Sequence, residues 1–547
     1  MPGAAPLKRM VHNPSGRAGS RLARAGKGSR PRSEDSPASV SRRSRRLAWS
    51  RPAKPSRIAT TAPSPVTRTT SAALPSTRRG QLALLGALCA ALAGCGAATG
   101  PRENAPRHVI LISLDTLRAS RCGMFGYPQP TTPFLDSLAE QGVLFESHMV
   151  NSNNTLSSHA SILTGLVPLA HGTFDSGEEG GRRALTPTYR TLASEFRAAG
   201  FDTAAFTAHP IWLGREFGLG KGFDVLETDW VDAPANTLCF LRWYDREAPE
   251  RMFVLLHYYD LHSDTEARGA TLPYESDPEL VERFAGPKPE GFTGCASDPP
   301  DWCTSRYLQA ISMGREPLPP EHLRYVSGLY DAGLRKLDAD LSELFRQLRR
   351  RGLLENTLVV ITSDHGEAFL EHGHMLQDTF HEEIMHVPLI VLPPPAWRVE
   401  PRRVGELTRS IDLAPTLLEL AGLRPIGQGQ SLAPALLQGA RVPYGEVFFG
   451  PAVLRSRDEV SEFKFNGIPD AEAFYDLGDD PLEQRDLCAA EPIPSEARER
   501  IERARARVEE LREKAIALQL QIGGEAGLAP DLDERTAQEL RRLGYLR

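Results

Sequence analysis

The sequence has few cysteines, no long apolar run and no evident repeat. Seven cysteines are spread over 547 residues without a Cys-x-x-Cys pair, which argues against a zinc site of paired thiolates. The most apolar stretch, residues 81–95, is too short for a comfortable transmembrane helix. The absence of repeats argues against a solenoid. With 41% hydrophobic residues, the chain has enough apolar material for a large core and more than one domain.

Acidic residues are nearly absent from the first 80 residues. This arm carries 18 Lys and Arg against only Glu34 and Asp35, a balance of +16, and because the whole chain carries −6 the remainder carries −22. Such an arm is typical of proteins that bind nucleic acid or anionic lipid. The adjoining segment favours another explanation, because a basic pair at Arg79, a short apolar run and the box Leu-Ala-Gly-Cys95 are typical of a bacterial lipoprotein signal.

The lipoprotein signal predicts cleavage before Cys95 and a lipid on that cysteine. We expect residues 1–75 to be a disordered basic arm, residues 76–95 to be the signal, and residues 96–106 to be a tether. Because such signals stand at the very N-terminus, we also expect that residues before about Val66 or Leu74 are not translated in the cell. Removal of 94 residues leaves 453, which we expect to be exported and held on the periplasmic or outer face of the cell envelope, without a nucleic-acid partner. The alternative is a single apolar helix after a disordered arm.

Two apolar runs, far apart in the sequence, each end in a candidate metal ligand. The runs His108–Leu114 and Leu358–Thr362 lack polar alternation, as expected of parallel strands buried on both faces. Asp115 follows the first run, and Asp364 and His365 follow the second. Open α/β sheets bind ligands at the carboxyl ends of their strands, and these side chains offer the donors of a divalent-metal site. The alternative is that each Asp only caps the next helix.

The segment between these runs contains a candidate nucleophile. Residues 154–165 indicate a loop that enters a short helix ending at Gly165, with Thr155 at the helix N-terminus. Unpaired backbone N–H groups at such a position favour an anion and stabilise a developing alkoxide. The alternative is that Thr155, Ser157 or Ser158 serves only as the N-cap.

These segments, with several others, resemble the sulfatase-like branch of the alkaline phosphatase superfamily. The matching stretches occur in one order between Val109 and about Leu487, and they are residues 114–118, 127–136, 158–165, 171–172, 363–367, 371–373, 387–391, 412–422, 475–477 and 480–481. The resemblance implies an α/β fold: a three-layer sandwich with a large, mainly parallel central sheet and a small C-terminal antiparallel-sheet subdomain. It also implies a metal held by Asp115, Asp364 and His365, with Thr155 attacking sulfur or phosphorus.

The sequence departs from the family's signature at the nucleophile. Sulfatases carry a Cys or Ser that is oxidised to formylglycine, followed by Pro and Arg, and here these three positions are Thr155, Ser157 and His159. Threonine is not a substrate for that oxidation, so no formylglycine is expected. Elsewhere in the superfamily a plain Thr, activated by the metal, attacks phosphoryl centres and forms a phosphothreonine. The chemistry therefore favours phosphate, phosphonate or phosphodiester substrates, whereas family membership favours sulfate esters.

The resemblance also implies residues that contact the substrate. His262 corresponds to a histidine that contacts the oxyanion or protonates the leaving group. His209 lies where the family often has a Lys-x-His motif, although the Lys is absent, and Gln377 occupies the position of a cation that grips the sulfate. A shift of two residues would make His374 or His381 the substrate contact instead.

Other residues near the nucleophile have alternative interpretations. His159, a further catalytic candidate, either orients Thr155, binds the anion or lies on a surface helix. We expect His257 to be structural, and the spacing around Asp260 disfavours a second metal. The single divalent metal is expected to be zinc or manganese, with calcium as the third candidate.

Three functions fit these residues. The first is a metal-dependent hydrolase of sulfuric or phosphoric esters with Thr155 as the nucleophile, acting on a small-molecule, glycan or lipid ester. The second is a transferase that moves a phospho-alcohol head group from a lipid to a glycan. The third is a catalytically silent binding protein on the sulfatase scaffold.

Strand and helix signals alternate over most of the chain, as expected of an α/β sandwich with a parallel sheet. We assign residues 107–440 to the catalytic domain, 441–490 to a small α+β subdomain and 491–547 to a helical tail. Examples of the expected elements are helices at 189–199, 323–350 and 496–518 and a strand at 203–208. Residues 270–320 lack clear periodicity and are expected to form an insertion over the site, in which Cys295 and Cys303 can form a disulfide.

The lipoprotein interpretation predicts the mature N-terminus. Mass spectrometry of the native protein should find no peptides from residues 1–60 and should find Cys95 lipidated as the first residue, because the signal is removed before that cysteine. Recovery of peptides from residues 1–60 would contradict this expectation.

Overall fold

The computed structural model describes residues 105–522, apart from residues 175–182, 209–212, 230–231, 265–271, 275, 298–299, 301, 443–444, 459–460 and 469–470. The predicted arm, the signal with Cys95 and residues 523–547 of the tail lie outside the described residues. No helix in the described part of the chain is long and apolar enough to cross a membrane.

The described residues form one large sheet, one small sheet and a short two-stranded ribbon. The strands are β1 (His108–Leu114), β2 (Val143–Met149), β3 (Asp202–Thr207), β4 (Val225–Glu227), β5 (Met252–Tyr258), β6 (Thr357–Thr362), β7 (Ala368–Phe369), β8 (Met375–Leu376), β9 (Leu389–Leu392), β10 (Arg402–Arg409), β11 (Glu446–Phe449), β12 (Val453–Arg457), β13 (Glu462–Asn466) and β14 (Ala473–Asp476). The large sheet has the order β10-β2-β9-β6-β1-β5-β3-β4. Only β9 runs antiparallel to its neighbours in this sheet, so the expectation of a mainly parallel central sheet is confirmed.

Helices cover both faces of the large sheet, which makes the fold a three-layer α/β sandwich. The helices are α1 (Pro133–Ala139), α2 (Thr155–Thr164), α3 (Pro168–His171), α4 (Leu192–Ala198), α5 (Ala233–Glu247), α6 (Pro278–Phe284), α7 (Ser305–Ser312), α8 (Pro320–Arg350), α9 (Glu382–Met385), α10 (Leu413–Leu420), α11 (Ala433–Gln438) and α12 (Ser495–Ile522). Apolar side chains of α2, α4, α10 and α12 share one core with one face of the sheet, and those of α1, α5, α7 and α8 share another core with the opposite face.

The central strands are apolar at nearly every position because both of their faces are covered. All seven residues of β1 are buried. Val109 and Leu111 belong to one core, and Ile110 and Ile112 to the other. Burial of each such side chain stabilises the fold by about 1.5–3 kcal/mol relative to exposure. The alternation of a strand's side chains therefore divides one apolar run between two cores.

Strand pairing brings the two predicted metal-ligand segments together. β1 pairs in parallel with β6, with Ser113 opposite Thr362, so the residues that come after the two strands meet at one edge of the sheet. This is where ligands bind in open α/β sheets.

The segment at 270–320 is more regular than the sequence indicated. Helices α6 and α7 lie within it, and α7 buries Tyr307, Leu308, Ala310 and Ile311. That spacing is helical, but Pro, Gly and Asp on either side obscured it. The predicted disulfide between Cys295 and Cys303 is present.

The small sheet is attached to the segment between the ribbon and β9 through charged side chains that are mostly buried. β11 to β14 form an antiparallel sheet, and Lys464 on β13 is only 2% exposed. Its Nζ lies 2.8 Å from Glu382 on α9 and 2.5 Å from Glu483. Arg455 on β12 also pairs with Glu382, at 2.5 Å. The two carboxylates raise the pKa of Lys464 against the effect of its burial, so the ammonium group holds two acids in place.

Loss of the Lys464 ammonium group should destabilise the protein strongly. Lys464→Met removes the cation that the half-buried Glu382 shares with the buried Glu483, and Glu483 then loses its partner inside the protein, so we expect the free energy of unfolding to fall by about 3–5 kcal/mol. Denaturant unfolding measures the change. Lys514→Met is the matched control because the Lys514–Glu510 pair is exposed, and its effect should be below about 1 kcal/mol. Equal effects of the two substitutions would contradict the prediction.

Candidate active site

Two carboxylates meet at the edge of the sheet where β1 and β6 end. Asp115 follows β1 and Asp364 lies two residues after β6, and both are fully buried. The backbone N–H of Thr116 donates to Asp364 Oδ1 at 3.4 Å, which joins the two strand ends. Donor atoms of Asp115, Asp364 and His365 lie within 4.8 Å of one another, so the structure brings together the three residues expected to bind the metal.

The donor atoms of this group suit a divalent metal. Asp115 Oδ1 and Asp364 Oδ2 are buried and have no hydrogen-bond partner among the described residues. His365 donates from Nδ1 to the carbonyl oxygen of Gly366 at 3.0 Å, which leaves the Nε2 lone pair available. Two carboxylate oxygens and an imidazole nitrogen are donors that zinc and manganese accept. Buried polar atoms without partners in a native protein call for such an explanation.

Neither Asp is a helix cap, so that alternative is wrong. Asp115 is followed by Thr116, which has a φ of 59°, and the next helical turn begins after Arg118. Asp364 Oδ1 accepts from the N–H of His365 at 3.0 Å, and no helix begins there.

The two carboxylates repel each other in a site from which water is excluded. Burial, and then the charge of Asp364, raise the pKa of Asp115 well above its usual value. Burial also acts to raise the pKa of Asp364, but His365, His159 and His257 outweigh it and lower this pKa. Burial lowers the pKa values of His159 and His257 to about 4, so both rings are neutral near pH 7. Because these neutral rings do not balance the charge of the two carboxylates, a bound dication would compensate it.

Thr155 faces this group from the first turn of α2. Its Oγ1 lies 3.3 Å from His365 Nε2 and 3.4 Å from Asp115 Oδ2. The N-cap is Asn154, whose side chain accepts from the N–H groups of Leu156 and Ser157. The alternative in which Thr155 is only a cap is therefore wrong, and its hydroxyl is directed to the metal-ligand group.

The same cap corrects an expectation about anion binding. Two N–H groups at the start of α2, those of Leu156 and Ser157, bond to Asn154 at 3.1 and 3.4 Å and are not free for a ligand as the sequence suggested. The helix ends at Gly165 as predicted, because Gly165 adopts the left-handed conformation with a φ of 69°.

His159 lies inside the protein and not on a surface helix, so that alternative is wrong. Its ring is fully buried. Nδ1 donates to the carbonyl oxygen of Thr155 at 2.8 Å, and Nε2 lies 2.9 Å from Ser113 Oγ on β1. Both nitrogens are thus engaged by protein atoms, which favours the orienting role over anion binding.

His257 is the site residue whose role the sequence did not reveal. Its Nε2 lies 3.0 Å from Asp115 Oδ2, so this residue of β5 contacts a metal-ligand candidate directly. Strand register places Thr207, His257, Ser113 and Thr362 side by side across four strands. A polar residue at or near the carboxyl end of each of these strands was the available signal.

The expected substrate contacts remain predictions. His262 is 3% exposed and lies on the loop after β5, where its ring stacks on Tyr259 at 4.3 Å and its Nδ1 accepts from the N–H of Asp264 at 3.1 Å. The carbonyl oxygen of Gln377 accepts from Asn153, two residues before Thr155, at 2.8 Å. His209 lies outside the described residues.

A second histidine cluster among the described residues is already saturated. His372, His381 and Glu483 have donor atoms within metal-binding range, but the two rings stack face to face at 3.7 Å. His372 bonds to Glu383 at 2.8 Å and His381 Nε2 lies 3.3 Å from Tyr475 OH. The cluster fixes the loop that contains His381, and exposed His374 lies beside it. A substrate contact by His374 or His381 stays a prediction.

Comparisons with known proteins agree on one family. Residues 107–423 match the family model described as Sulfatase. Arylsulfatase K of Gallus gallus is 25% identical over 402 residues, which are 66% of this chain and 72% of that protein. N-acetylgalactosamine-6-sulfatase of Canis lupus familiaris is 26% identical over 387 residues, 63% of this chain and 68% of that protein. A phosphonate monoester hydrolase of Agrobacterium radiobacter has a similar fold, with a TM-score of 0.56 at 21% identity over 76% of this chain and 96% of that one.

The cap at Asn154 should contribute measurably to stability. Asn154→Ala removes the acceptor of two backbone N–H groups at the start of α2, and we expect a loss of about 1 kcal/mol in denaturant unfolding. Asn154→Ser is the matched control because serine is an equally good cap, so it should stay within about 0.5 kcal/mol of the parent. A similar loss in both variants would show that the cap is not the cause.

Proposed function

The chain belongs to the sulfatase family and is an ester hydrolase of the alkaline phosphatase superfamily, and we propose that it is metal-dependent, uses Thr155 as a direct nucleophile and prefers phosphorus esters. The observation that carries this proposal is the position of Thr155 Oγ1, 3.3 Å from His365 Nε2 and 3.4 Å from Asp115 Oδ2. A hydroxyl that does not serve as a helix cap, and that lies next to a carboxylate and an imidazole, has the surroundings that activate a nucleophile.

Asp115, Asp364 and His365 are the residues that would hold the metal, with Thr155 beside them. The unpartnered oxygens of the two acids support this assignment. A bound divalent cation supplies Lewis-acid chemistry, since it lowers the pKa of a nearby hydroxyl and stabilises negative charge on the ester oxygens.

The reaction that we propose has two steps. Thr155 Oγ forms a bond to phosphorus while the bond from phosphorus to the leaving oxygen breaks, and the Oγ proton passes to a neighbouring base. Water then attacks the phosphothreonine, the bond from Thr155 Oγ to phosphorus breaks, and Thr155 recovers a proton. The helix that carries Thr155 is held against the metal-ligand segment, because Ser158 Oγ donates to the carbonyl oxygen of Asp364 at 2.6 Å. Such fixed geometry lowers the entropic part of the barrier.

We propose that His262 donates a hydrogen bond from Nε2 to the leaving oxygen, which departs as an anion and takes its proton from solvent. Because Nδ1 accepts a hydrogen bond from the N–H of Asp264, the neutral ring carries its proton on Nε2. Stacking on Tyr259 holds the plane of the ring. A ring fixed in this tautomer offers one N–H donor at a defined atom, which stabilises negative charge on the leaving oxygen.

One feature favours phosphorus over sulfur, and a second favours substrates with a single negative charge. Thr155 cannot become formylglycine, whose hydrate expels sulfate by elimination, so a covalent intermediate has to be released by attack of water. His159 stands where sulfatases carry Arg, and burial lowers its pKa to about 4. A neutral ring there favours singly charged substrates such as phosphodiesters and phosphonate monoesters over phosphate monoesters. The fold of a phosphonate monoester hydrolase is similar, and the curated relatives include one named for a sugar sulfate, so a sugar is a candidate for the organic part.

The covalent step can be tested by brief exposure to substrate and acid quench. Aryl phosphodiester, aryl phosphonate, aryl phosphate and aryl sulfate substrates are each supplied to protein loaded with zinc or manganese. We expect hydrolysis of the phosphodiester or the phosphonate monoester to be fastest. With the aryl phosphate as substrate, the phosphoryl group retained on Thr155 should add about 80 mass units to the peptide that holds this residue. Removal of the metal by a chelator should abolish turnover, and its return should restore it.

Variants at Thr155 separate the nucleophile from its surroundings. Thr155→Ala should lower the rate by at least about a thousandfold and prevent the adduct, whereas Thr155→Ser keeps a hydroxyl and should retain activity. Thr164→Ala, at the other end of α2, is the matched control and should leave turnover unchanged. An adduct on another residue, or full activity in Thr155→Ala, would overturn the proposed nucleophile, and fastest hydrolysis of aryl sulfate would overturn the phosphorus preference alone.

A further inference from the structure

We propose that His257 is a positioning residue that holds Asp115 in the orientation required for metal binding. The ring donates from Nε2 to Asp115 Oδ2 at 3.0 Å, while Asp115 Oδ1 has no hydrogen-bond partner among the described residues. The hydrogen bond thus assigns one oxygen to the protein and leaves the other for the cation. This inference rests on the proposed function, because it concerns the same metal.

Strand register dictates the contact. β5 pairs in parallel with β1 so that His257 lies opposite Ser113, and both side chains lie on the same face of the sheet. Asp115 lies two residues beyond Ser113 and directly after the end of β1, so the alternation of the strand leads its side chain to the same side. A histidine at this one position of β5 therefore reaches the carboxylate without distortion of either strand.

The ring of His257 has little freedom to turn. The residue is fully buried, and His159 packs edge-on against it with ring centroids 5.0 Å apart. His159 is itself held by Ser113 and by the carbonyl oxygen of Thr155. These contacts fix the position of the helix that carries Thr155 relative to the strand that carries His257.

The state of His257 Nδ1 indicates that the residue has a role other than stabilising the fold. His257 Nδ1 is buried without a hydrogen-bond partner among the described residues. A buried polar atom in this state costs about 1–3 kcal/mol. A purely structural residue at this position would be apolar, as its neighbours Leu255 and Leu256 are, so the contact to Asp115 is the compensating role.

Metal affinity, and not turnover alone, reports the positioning role. Hydrogen-bond partners of metal ligands typically contribute 10–100-fold to metal affinity because they fix the orientation of the ligand. In metal-stripped protein, competition with a chromophoric chelator measures the dissociation constants of zinc and manganese. We expect His257→Leu to raise them about 10–100-fold.

Amide variants test the hydrogen bond itself. His257→Gln places an N–H near the position of Nε2 and should keep the dissociation constant within a few-fold of the parent, whereas the shorter amide in His257→Asn should not reach Asp115 and should weaken binding as leucine does. These two variants carry the test if His257→Leu fails to fold. Similar affinity in the Gln and Asn variants would overturn the inference.

His148 provides a matched control in the same sheet. It is fully buried on β2, its Nδ1 lies 3.0 Å from Thr408 Oγ1 and its Nε2 has no partner among the described residues. His148→Leu should leave metal affinity unchanged, and a loss equal to that of His257→Leu would overturn the inference. If the parent protein binds neither metal, or if Asp115→Asn binds as tightly as the parent, the proposed function fails together with the inference. Tight binding by the parent and equally tight binding by His257→Leu would overturn the positioning role alone.

Discussion

The repulsion between two buried carboxylates is the constraint on which the rest of the site depends. Asp115 and Asp364 face each other because β1 and β6 are adjacent and parallel, and burial raises the pKa of Asp115 well above its usual value. A fold built only for stability would place apolar residues here. The arrangement persists because the surrounding sheet determines the positions of both strand ends, and strain or unsatisfied charge maintained in this way is typical of functional sites.

The surroundings of the two acids convert this unfavourable pair into an ordered site. A row of polar residues across four strands lies beneath it, and α2 is joined to that row through the contact of His159 with Ser113. Ser158 joins the same helix to the backbone of Asp364. Each link is a short hydrogen bond between buried groups, which is rigid because no water competes for it. The nucleophile and the metal ligands are thus fixed relative to one another.

Much of this arrangement was predictable, because the strongest signals are local. The apolar runs before Asp115 and Asp364 predict buried parallel strands, and Gly165 predicts the end of α2. Other features were missed where a residue's role depends on a distant partner. Asn154 is the cap that makes Thr155 available, and His257 contacts Asp115 from a third strand. The helical spacing of α7 was obscured by its Pro- and Gly-rich flanks, so residues 270–320 were expected to be irregular.

The sequence by itself determined the α/β class, the mainly parallel sheet and the identity of the candidate metal ligands, because apolar periodicity and the residue after each strand are properties of short segments. Only the tertiary structure decided which of those residues meet. The order of strands in the sheet placed β5 and β6 on either side of β1, and that adjacency is set by packing between segments more than 100 residues apart. Contacts of this kind, such as those of His257 and His159, depend on register, which no single segment specifies.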